Sequence, residues 1–438
     1  MNLPNYFLAD LPPEATLSPM MIAEACHTLK RNREKYLLTR TTDDVIKILC
    51  EVAVEWLQSE NKFRRLALKL GPEQTGFSQA TLARGLDEFF RRFTPENFRA
   101  LLAQDLGADT NRHFWHGPGF LVHIAAGNLP NPALMSLTLG LLTRSAQFMK
   151  CASSAALLPR LFAHSIYDLD PKLGACLELA AWRGGHMALE TALFAEADCV
   201  TATGSDETLL AIRARLPAKT RFLGYGQRVS FGYVSREVLH EDEISKTVSQ
   251  AADDVIAWDQ NGCLSPHVIY VEERGVIESD KFAALLAAEL MRREAAEPRG
   301  TISMEESAAI AARRAIYETL AAHRGDLKFW ASQNSTAWTV VFEHETRFRF
   351  SPLNRFIYVK PVPDVAAVLP GVDEIVGKVS TVGIAAPSEK FAALAKTFAG
   401  WGVTRICPLG QMQNPPLTWR HDGRPVLGDL ITWTDFEL

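Results

Sequence analysis

Three short segments of this sequence put reactive or ligand-holding residue types where an apolar run gives way to a turn. The first is Ile124-Ala125-Ala126-Gly127-Asn128-Leu129-Pro130-Asn131-Pro132, directly after Phe120-Leu121-Val122-His123. An Asn at the carboxyl end of a buried strand stands where open α/β sheets bind ligands. Its side-chain amide can donate to an oxyanion with little reorganisation, although an Asn in a turn before a helix is the plainer alternative. The second is Thr203-Gly204-Ser205-Asp206-Glu207-Thr208. Here a strand ends, a Gly turns the chain and a helix begins, so free N–H groups and the helix dipole can hold an anion; Ser205 or Asp206 also serves simply as an N-cap. The third is Trp258-Asp259-Gln260-Asn261-Gly262-Cys263-Leu264-Ser265-Pro266-His267. The other six cysteines lie in apolar or helical text, whereas Cys263 sits in a polar, Gly-containing turn before a strand. A thiolate there could attack a thioester or aldehyde carbonyl to give a covalent intermediate, set against an inert core thiol.

Other chemistries are poorly served. The sequence has no G-x-S-x-G, G-x-x-x-x-G-K-[ST], H-E-x-x-H or G-x-G-x-x-G. His113 and His116 have no third ligand nearby, so no metal site is expected. Gly224-Tyr225-Gly226 is by itself a turn signal. The seven cysteines include no C-x-x-C pair, which disfavours zinc knuckles and thioredoxin-type chemistry and suits a reducing compartment. Net charge is −5 over 438 residues, so no broad positive field for nucleic acid or anionic lipid is expected. The first residues lack a basic region followed by a long apolar one, so no secretory leader is expected. The most apolar stretch, Pro132 to Leu142, is too short to span a bilayer. A cytoplasmic protein without an integral membrane segment is the expectation.

The elements that must position these residues alternate. Residues up to about Thr110 read as helical: Asp43-Asp44 precede VIKILCEVAVEWLQ with apolar residues at helical spacing, and Phe77 to Gln104 is again amphipathic. From Phe120 the pattern becomes strand, turn, helix, with strands at 120–124, 147–150, 197–202 and 221–223 and helices at 133–143, 157–167 and 206–216. A second block from about Val234 adds helices at 241–256, 280–293, 305–322 and 389–399, and strands at 267–271, 338–342, 356–360, 381–385 and 404–407. Such alternation implies βα units and a mostly parallel sheet with helices on both faces. The tail after Gln411 reads as irregular.

Taken in order, GNLPNP at 127–132, Lys150, TGSDETLLAIRARLP from Thr203, GYGQRVSFGYV from Gly224, DQNGCLSPH at 259–267 and the closing run from Pro408 resemble the LuxC-type acyl-CoA reductases, within the aldehyde dehydrogenase superfamily. The resemblance covers about Gly117 to Leu438. It implies an aldehyde dehydrogenase-like α/β fold: a Rossmann-like cofactor domain, an α/β catalytic domain carrying the nucleophilic Cys, and an oligomerisation segment. The expected division is a helical N-terminal part of the cofactor domain at 1–110, a Rossmann-like NADP(H) domain at 111–233, a catalytic domain at 234–410 and a C-terminal tail at 411–438, a candidate oligomerisation segment.

The resemblance also implies roles. Cys263 corresponds to the nucleophile, with Gln260 three residues before it as in the superfamily, and Asn128 to the oxyanion donor. Lys150 and Ser153 fall beside the cofactor's adenosine ribose, and Thr203, Gly204 and Ser205 over its pyrophosphate. Three departures inform the mechanism. Hydrolytic relatives carry a general-base Glu at a position that falls close to Leu223 here, before Gly224-Tyr225-Gly226, so water activation is not expected. In the Glu-x-Phe-x-Pro segment, Phe348 occupies the Glu position, before Phe350-Ser351-Pro352. Ser153 replaces an acidic ribose ligand, which leaves room for a 2′-phosphate. The implied activity is NADPH-dependent reduction of a fatty acyl thioester to the aldehyde, with NADH as the alternative donor. The acyl donor would be acyl-CoA, an acyl carrier protein or an acyl-protein synthetase, and the chain would form a homo-oligomer. An aldehyde dehydrogenase of another type and an acyltransferase or acyl carrier without redox chemistry remain alternatives. No general acid–base is assigned; His267 lies close in sequence.

Overall fold

The computed structural model describes residues 3–12, 14–107, 113–152, 155–435 and 437. It divides into two compact units: residues up to 75 with 86–227 and those from 416 on, and residues 76–85 with 228–415.

Strand formation follows the apolar runs. The strands are β1 (His113–His116), β2 (Phe120–Ile124), β3 (Ala146–Cys151), β4 (Leu177–Ala181), β5 (Cys199–Thr203), β6 (Arg221–Tyr225), β7 (Val229–Val234), β8 (Pro266–Glu272), β9 (Leu327–Ala331), β10 (Thr339–Glu343), β11 (Phe356–Val362), β12 (Val379–Ala385), β13 (Arg405–Pro408) and β14 (Thr432–Asp435). In the first unit five parallel strands stand in the order β4-β3-β2-β5-β6. The chain leaves β2 toward β3 on one side and returns on the other as β5. That makes the gap between β2 and β5 the topological switch point, where ligands bind beyond the carboxyl ends of the strands.

The N-terminal helices form for local reasons. In Thr42–Leu57 the Thr41 hydroxyl accepts from Asp44 N and Asp44 answers to Thr41 N, a reciprocal cap. Its buried residues Val45, Ile46, Leu49, Val52, Ala53 and Trp56 recur at helical spacing. The amphipathic stretch from Phe77 to Gln104 is two helices, Gln79–Phe90 and Pro95–Leu106. Pro95 can only begin a helix, and Thr94 caps it by accepting from Asn97 N at 3.2 Å. The tail is less irregular than its sequence suggests. Arg221 donates to the carbonyls of Leu430 and Ile431, and β14 pairs antiparallel with β1.

The second unit is built on a seven-stranded sheet in the order β13-β12-β7-β8-β11-β10-β9, parallel except for β9. Its five inner strands, β12, β7, β8, β11 and β10, are buried on both faces. In β8, Ile269 and Val271 pack into one apolar cluster with helices Glu241–Ile256 and Ser279–Glu294, while Val268 and Tyr270 pack into another with helices Met304–His323 and Ser388–Gly400. Strands covered on both sides read as continuous apolar runs, which makes β8, β10, β11 and β12 visible in the sequence without alternation. The sequence pattern does not announce β4, β7, β9 or the helix Met187–Glu196.

Candidate active site

In the first unit the structure gathers Asn128, Lys150 and Thr203-Gly204-Ser205 at the carboxyl ends of three neighbouring strands. Asn128 is exposed in the loop after β2. Lys150 lies on β3 opposite Ile124, and its carbonyl accepts from Ala125 N at 3.0 Å. It is 7% exposed, and burial pushes its ammonium below the ordinary lysine range against the opposing pull of Glu190. Thr203 ends β5 beside Tyr225, and Gly204 N donates to the Tyr225 carbonyl at 3.2 Å. Ser205 caps the helix Asp206–Arg213 by accepting from Thr208 N at 3.3 Å. Ser153 lies outside the described residues. Leu223 sits within β6, 8% exposed and opposite Thr201.

Behind these loops, a buried polar tie sets the register of the three strands. His123 on β2 lies 2.7 Å from Thr201 Oγ1 on β5 and 2.9 Å from Gln147 Oε1 on β3. Gln147 Nε2 donates to the Leu137 carbonyl, so its oxygen must face the ring. Nε2 of His123 therefore carries the proton and Nδ1 accepts from Thr201. Burial holds this imidazole down to about 4, so it is neutral. Gly140 is required here, because a Cβ would lie 2.1 Å from Gln147 Oε1.

In the second unit Cys263 stands in the turn that leads into β8. It is half-buried, and Ser265 N closes the turn onto the Gly262 carbonyl at 2.9 Å. The Cys263 carbonyl accepts from Ser230 Oγ at 2.8 Å. The other six thiols differ in setting. Burial raises Cys26, Cys151, Cys176 and Cys407 to about 12 and Cys50 to about 11, and also raises Cys199.

The residues just before the turn adopt an uncommon backbone. Trp258, Asp259 and Gln260 have φ of 53°, 50° and 65°, and Leu353, Asn354 and Arg355 have φ of 61°, 54° and 65°. None is Gly, so each costs roughly 1–2 kcal/mol in the left-handed region and persists only if its surroundings over-determine it. The two triplets hold each other. Arg355 pairs with Asp259 at 2.7 Å, both side chains almost fully buried. Asn261 Nδ2 donates to Asn354 Oδ1 at 3.2 Å, and Gln260 Nε2 donates to the carbonyls of Pro266 and Phe356 at 2.7 and 2.8 Å. Gln260 thus ties the start of β8 to the start of β11. The family resemblance points to Gln260, whereas nothing in the sequence pattern singles out Arg355. Its signal, an Asp and an Arg each next to Asn- and Gln-bearing turns, is weak without the fold.

His267, left without a role above, is occupied. Its Nδ1 accepts from Ser351 N at 3.1 Å, between the rings of Phe348 and Phe350. Burial pushes it down to about 4, so it is a neutral ring with its proton on Nε2. Among the described residues no cluster of His, Cys, Asp or Glu could hold a metal ion, and no helix is long and apolar enough to cross a membrane.

A family model for acyl-CoA reductase (LuxC) matches residues 37–433. The chain belongs to this family. Among curated LuxC relatives, long-chain acyl-protein thioester reductase 2 of Photobacterium leiognathi is 25% identical over 324 residues, covering 73% of this chain and 64% of its own length. The chain therefore spans under two thirds of that relative. Among solved structures, the PutA aldehyde dehydrogenase of Anabaena variabilis aligns with a TM-score of 0.71 at 15% identity, covering 96% of this chain and 93% of that one. The glyceraldehyde-3-phosphate dehydrogenase GapN of Methanocaldococcus jannaschii, complexed with NADP, aligns at 0.67 and 12% identity, covering 96% and 95%. These likenesses establish the aldehyde dehydrogenase-like α/β fold for this LuxC-family chain.

Proposed function

We propose that this chain reduces a fatty acyl thioester to the aldehyde through an acyl group carried on Cys263. The observation that supports this reading is the contrast among its thiols. Five of the other thiols are buried and Cys50 lies within the helix Thr42–Leu57, whereas half-buried Cys263 is presented on a braced turn at the head of β8, within a chain of the LuxC family. The Cys263 sulfur attacks the thioester carbonyl, the new C–S bond forms, and the donor thiol leaves with the proton. By the family resemblance, Asn128 would donate its amide to the oxyanion that develops in this step. The donor thiol belongs to CoA, an acyl carrier or an acyl-protein synthetase.

The carboxyl-end loops of the first unit fit a nicotinamide dinucleotide. They flank a switch point, Lys150 offers a buried cation, and a Cβ on Gly204 would find only Thr208, at 3.4 Å and beyond, so the backbone there is open to close approach. Lys150 would hold the adenosine ribose, and Thr203, Gly204 and Ser205 the pyrophosphate. When bound, NADPH supplies the hydride that takes the thioester carbonyl to the aldehyde level. The resemblance puts apolar Leu223 close to where hydrolytic relatives carry their general base, so that position supplies no carboxylate to activate water.

The test is incubation with acyl-CoAs of graded length and NADPH or NADH, with aldehyde identified by mass spectrometry. Without reductant, an acyl mass should appear on the peptide containing Cys263. An adduct on Cys151 or Cys199 instead, or acyl transfer with no aldehyde, would overturn the reading.

A further inference from the structure

The turn that carries Cys263 is held by a second segment of the same unit, to which the reaction so far assigns nothing. After β13 the chain folds back through residues 409–413. Asp254, fully buried near the end of helix Glu241–Ile256, accepts from Gly410 N at 2.5 Å and Met412 N at 2.8 Å. Arg405, 8% exposed, donates to the carbonyls of Met412 at 2.5 Å and Gln411 at 2.7 Å. Gly410 has φ +84°, and a Cβ there would lie 3.0 Å from Gln250 Cβ, so a side chain is excluded twice over. Four backbone polar groups of one short loop are thus each matched to a buried Asp or Arg side chain.

The side chain this loop presents to the nucleophile turn is Gln413. Its Nε2 donates to Ser265 Oγ at 2.5 Å, and its amide covers Gly262, 2.3 Å from where a Cβ would stand. Gly262 and Ser265 are the two ends of the hydrogen-bonded turn around Cys263. Any side chain at 262 would push Gln413 away. The Arg405 guanidinium that anchors the loop is also within electrostatic reach of Cys263.

We propose that Gln413 is a positioning residue for Cys263: its amide fixes the Gly262–Ser265 turn, so that the thiol keeps one orientation toward a thioester. Asp254 and Arg405 act one step further out, by fixing the backbone that carries Gln413. This inference rests on the reading of Cys263 as the acyl-accepting nucleophile. A misplacement of about 1 Å in reacting groups can cost on the order of 10²-fold in rate, which sets the scale of the effect.

The experiment compares wild type with Gln413→Met, which keeps the length but loses the amide, with Ser265→Ala, which removes the partner, and with the double variant. Three quantities are measured on the full chain: kcat and KM for acyl-CoA reduction, the rate at which iodoacetamide labels Cys263 in the folded protein, and the melting temperature. Each single variant should lower kcat about 10- to 100-fold with KM within about twofold, and should change the labelling rate. The double variant should be no worse than the singles, because both remove one interaction. Gln413→Glu, whose carboxylate can accept from the Ser265 hydroxyl, should recover part of the rate. Wild-type kcat and labelling in both single variants would overturn the proposal while leaving Cys263 as nucleophile. Losses that multiply in the double variant, or that only follow a falling melting temperature, would also overturn it. If wild-type Cys263 takes up no acyl group, the parent reading falls and this one with it.

Discussion

Replacing Arg355 by Met tests whether a buried ion pair holds the left-handed turn in front of Cys263. Arg355 is 1% exposed; its guanidinium meets Asp259 at 2.7 Å and Glu294 and the Glu297 carbonyl at 2.9 and 2.7 Å. Removing it leaves Asp259, itself 2% exposed, with Gly300 N at 3.1 Å. Breaking a buried pair by deleting one partner costs roughly 3–5 kcal/mol, a large share of the about 5–15 kcal/mol that holds a typical domain. Burial holds the Asp259 carboxyl above its ordinary range, and Arg355 is the main opposing influence. Without Arg355 the carboxyl rises further. A group whose folded value lies above its unfolded one contributes stability that is complete below about pH 4 and lost as pH rises through the folded value. The variant should therefore be more impaired at pH 8 than at pH 5. The assay is urea denaturation followed by tryptophan fluorescence, with Trp258 buried in the affected turn. Arg355→Met should lose about 3–5 kcal/mol at pH 8. Arg355→Met with Asp259→Asn should recover at least about 1 kcal/mol of that, since no charge is left unpaired. A loss at pH 8 below about 1 kcal/mol would refute the argument, because the left-handed triplets would then be stable without the pair.

Asn128→Ala should lower kcat by about 10²–10³ with little change in NADPH binding; near-normal turnover would return Asn128 to a turn residue. The acyl group on Cys263 should persist without NADPH and be discharged quickly by free thiol, and Leu223→Glu should introduce slow hydrolysis; wild type that hydrolyses acyl-CoA as fast as it reduces it would mean another base is present. Ser153→Glu should weaken NADPH more than NADH, as read by fluorescence titration, since a carboxylate repels a 2′-phosphate; a wild type that uses NADH at least as well would sink that inference. Burial lifts the Glu178 carboxyl to about 8, and both N–H donors, Leu8 and Leu179, bond the same oxygen, Oε1. Glu178→Gln keeps that acceptor and removes the charge. It should match wild type at pH 5 and gain stability, on the order of a few kcal/mol, above pH 8; equal stability at both pH values would rule this out.

How much of the site was legible depends on whether its signal was local. Cys263 could be singled out because a thiol in a Gly-containing polar turn reads differently from one in apolar text. The strands Phe120–Ile124 and Pro266–Glu272 were visible because strands buried on both faces need a continuous apolar run. Leu177–Ala181 was not, since Leu-Glu-Leu-Ala-Ala has weak strand character and becomes a strand by pairing with β3. The tail strand Thr432–Asp435 likewise exists through its pairing with His113–His116, far away in sequence.

The sequence by itself determined the alternation of strands and helices, the short apolar runs that become the two sheets, and the residue types able to accept an acyl group or hold a dinucleotide. These follow from hydrophobic period and turn chemistry, which act over a few residues. Only the tertiary structure decided the order of the strands, and with it the switch point beside Asn128 and Thr203. It also decided the left-handed turns at 258–260 and 353–355, which no Gly announces, and the grip of Gln413 on the Cys263 turn. The reason is physical. A non-Gly residue enters the left-handed region against its own steric preference, and it stays there because partners about 90 residues away, such as Arg355 for Asp259 and Phe356 for Gln260, hold it.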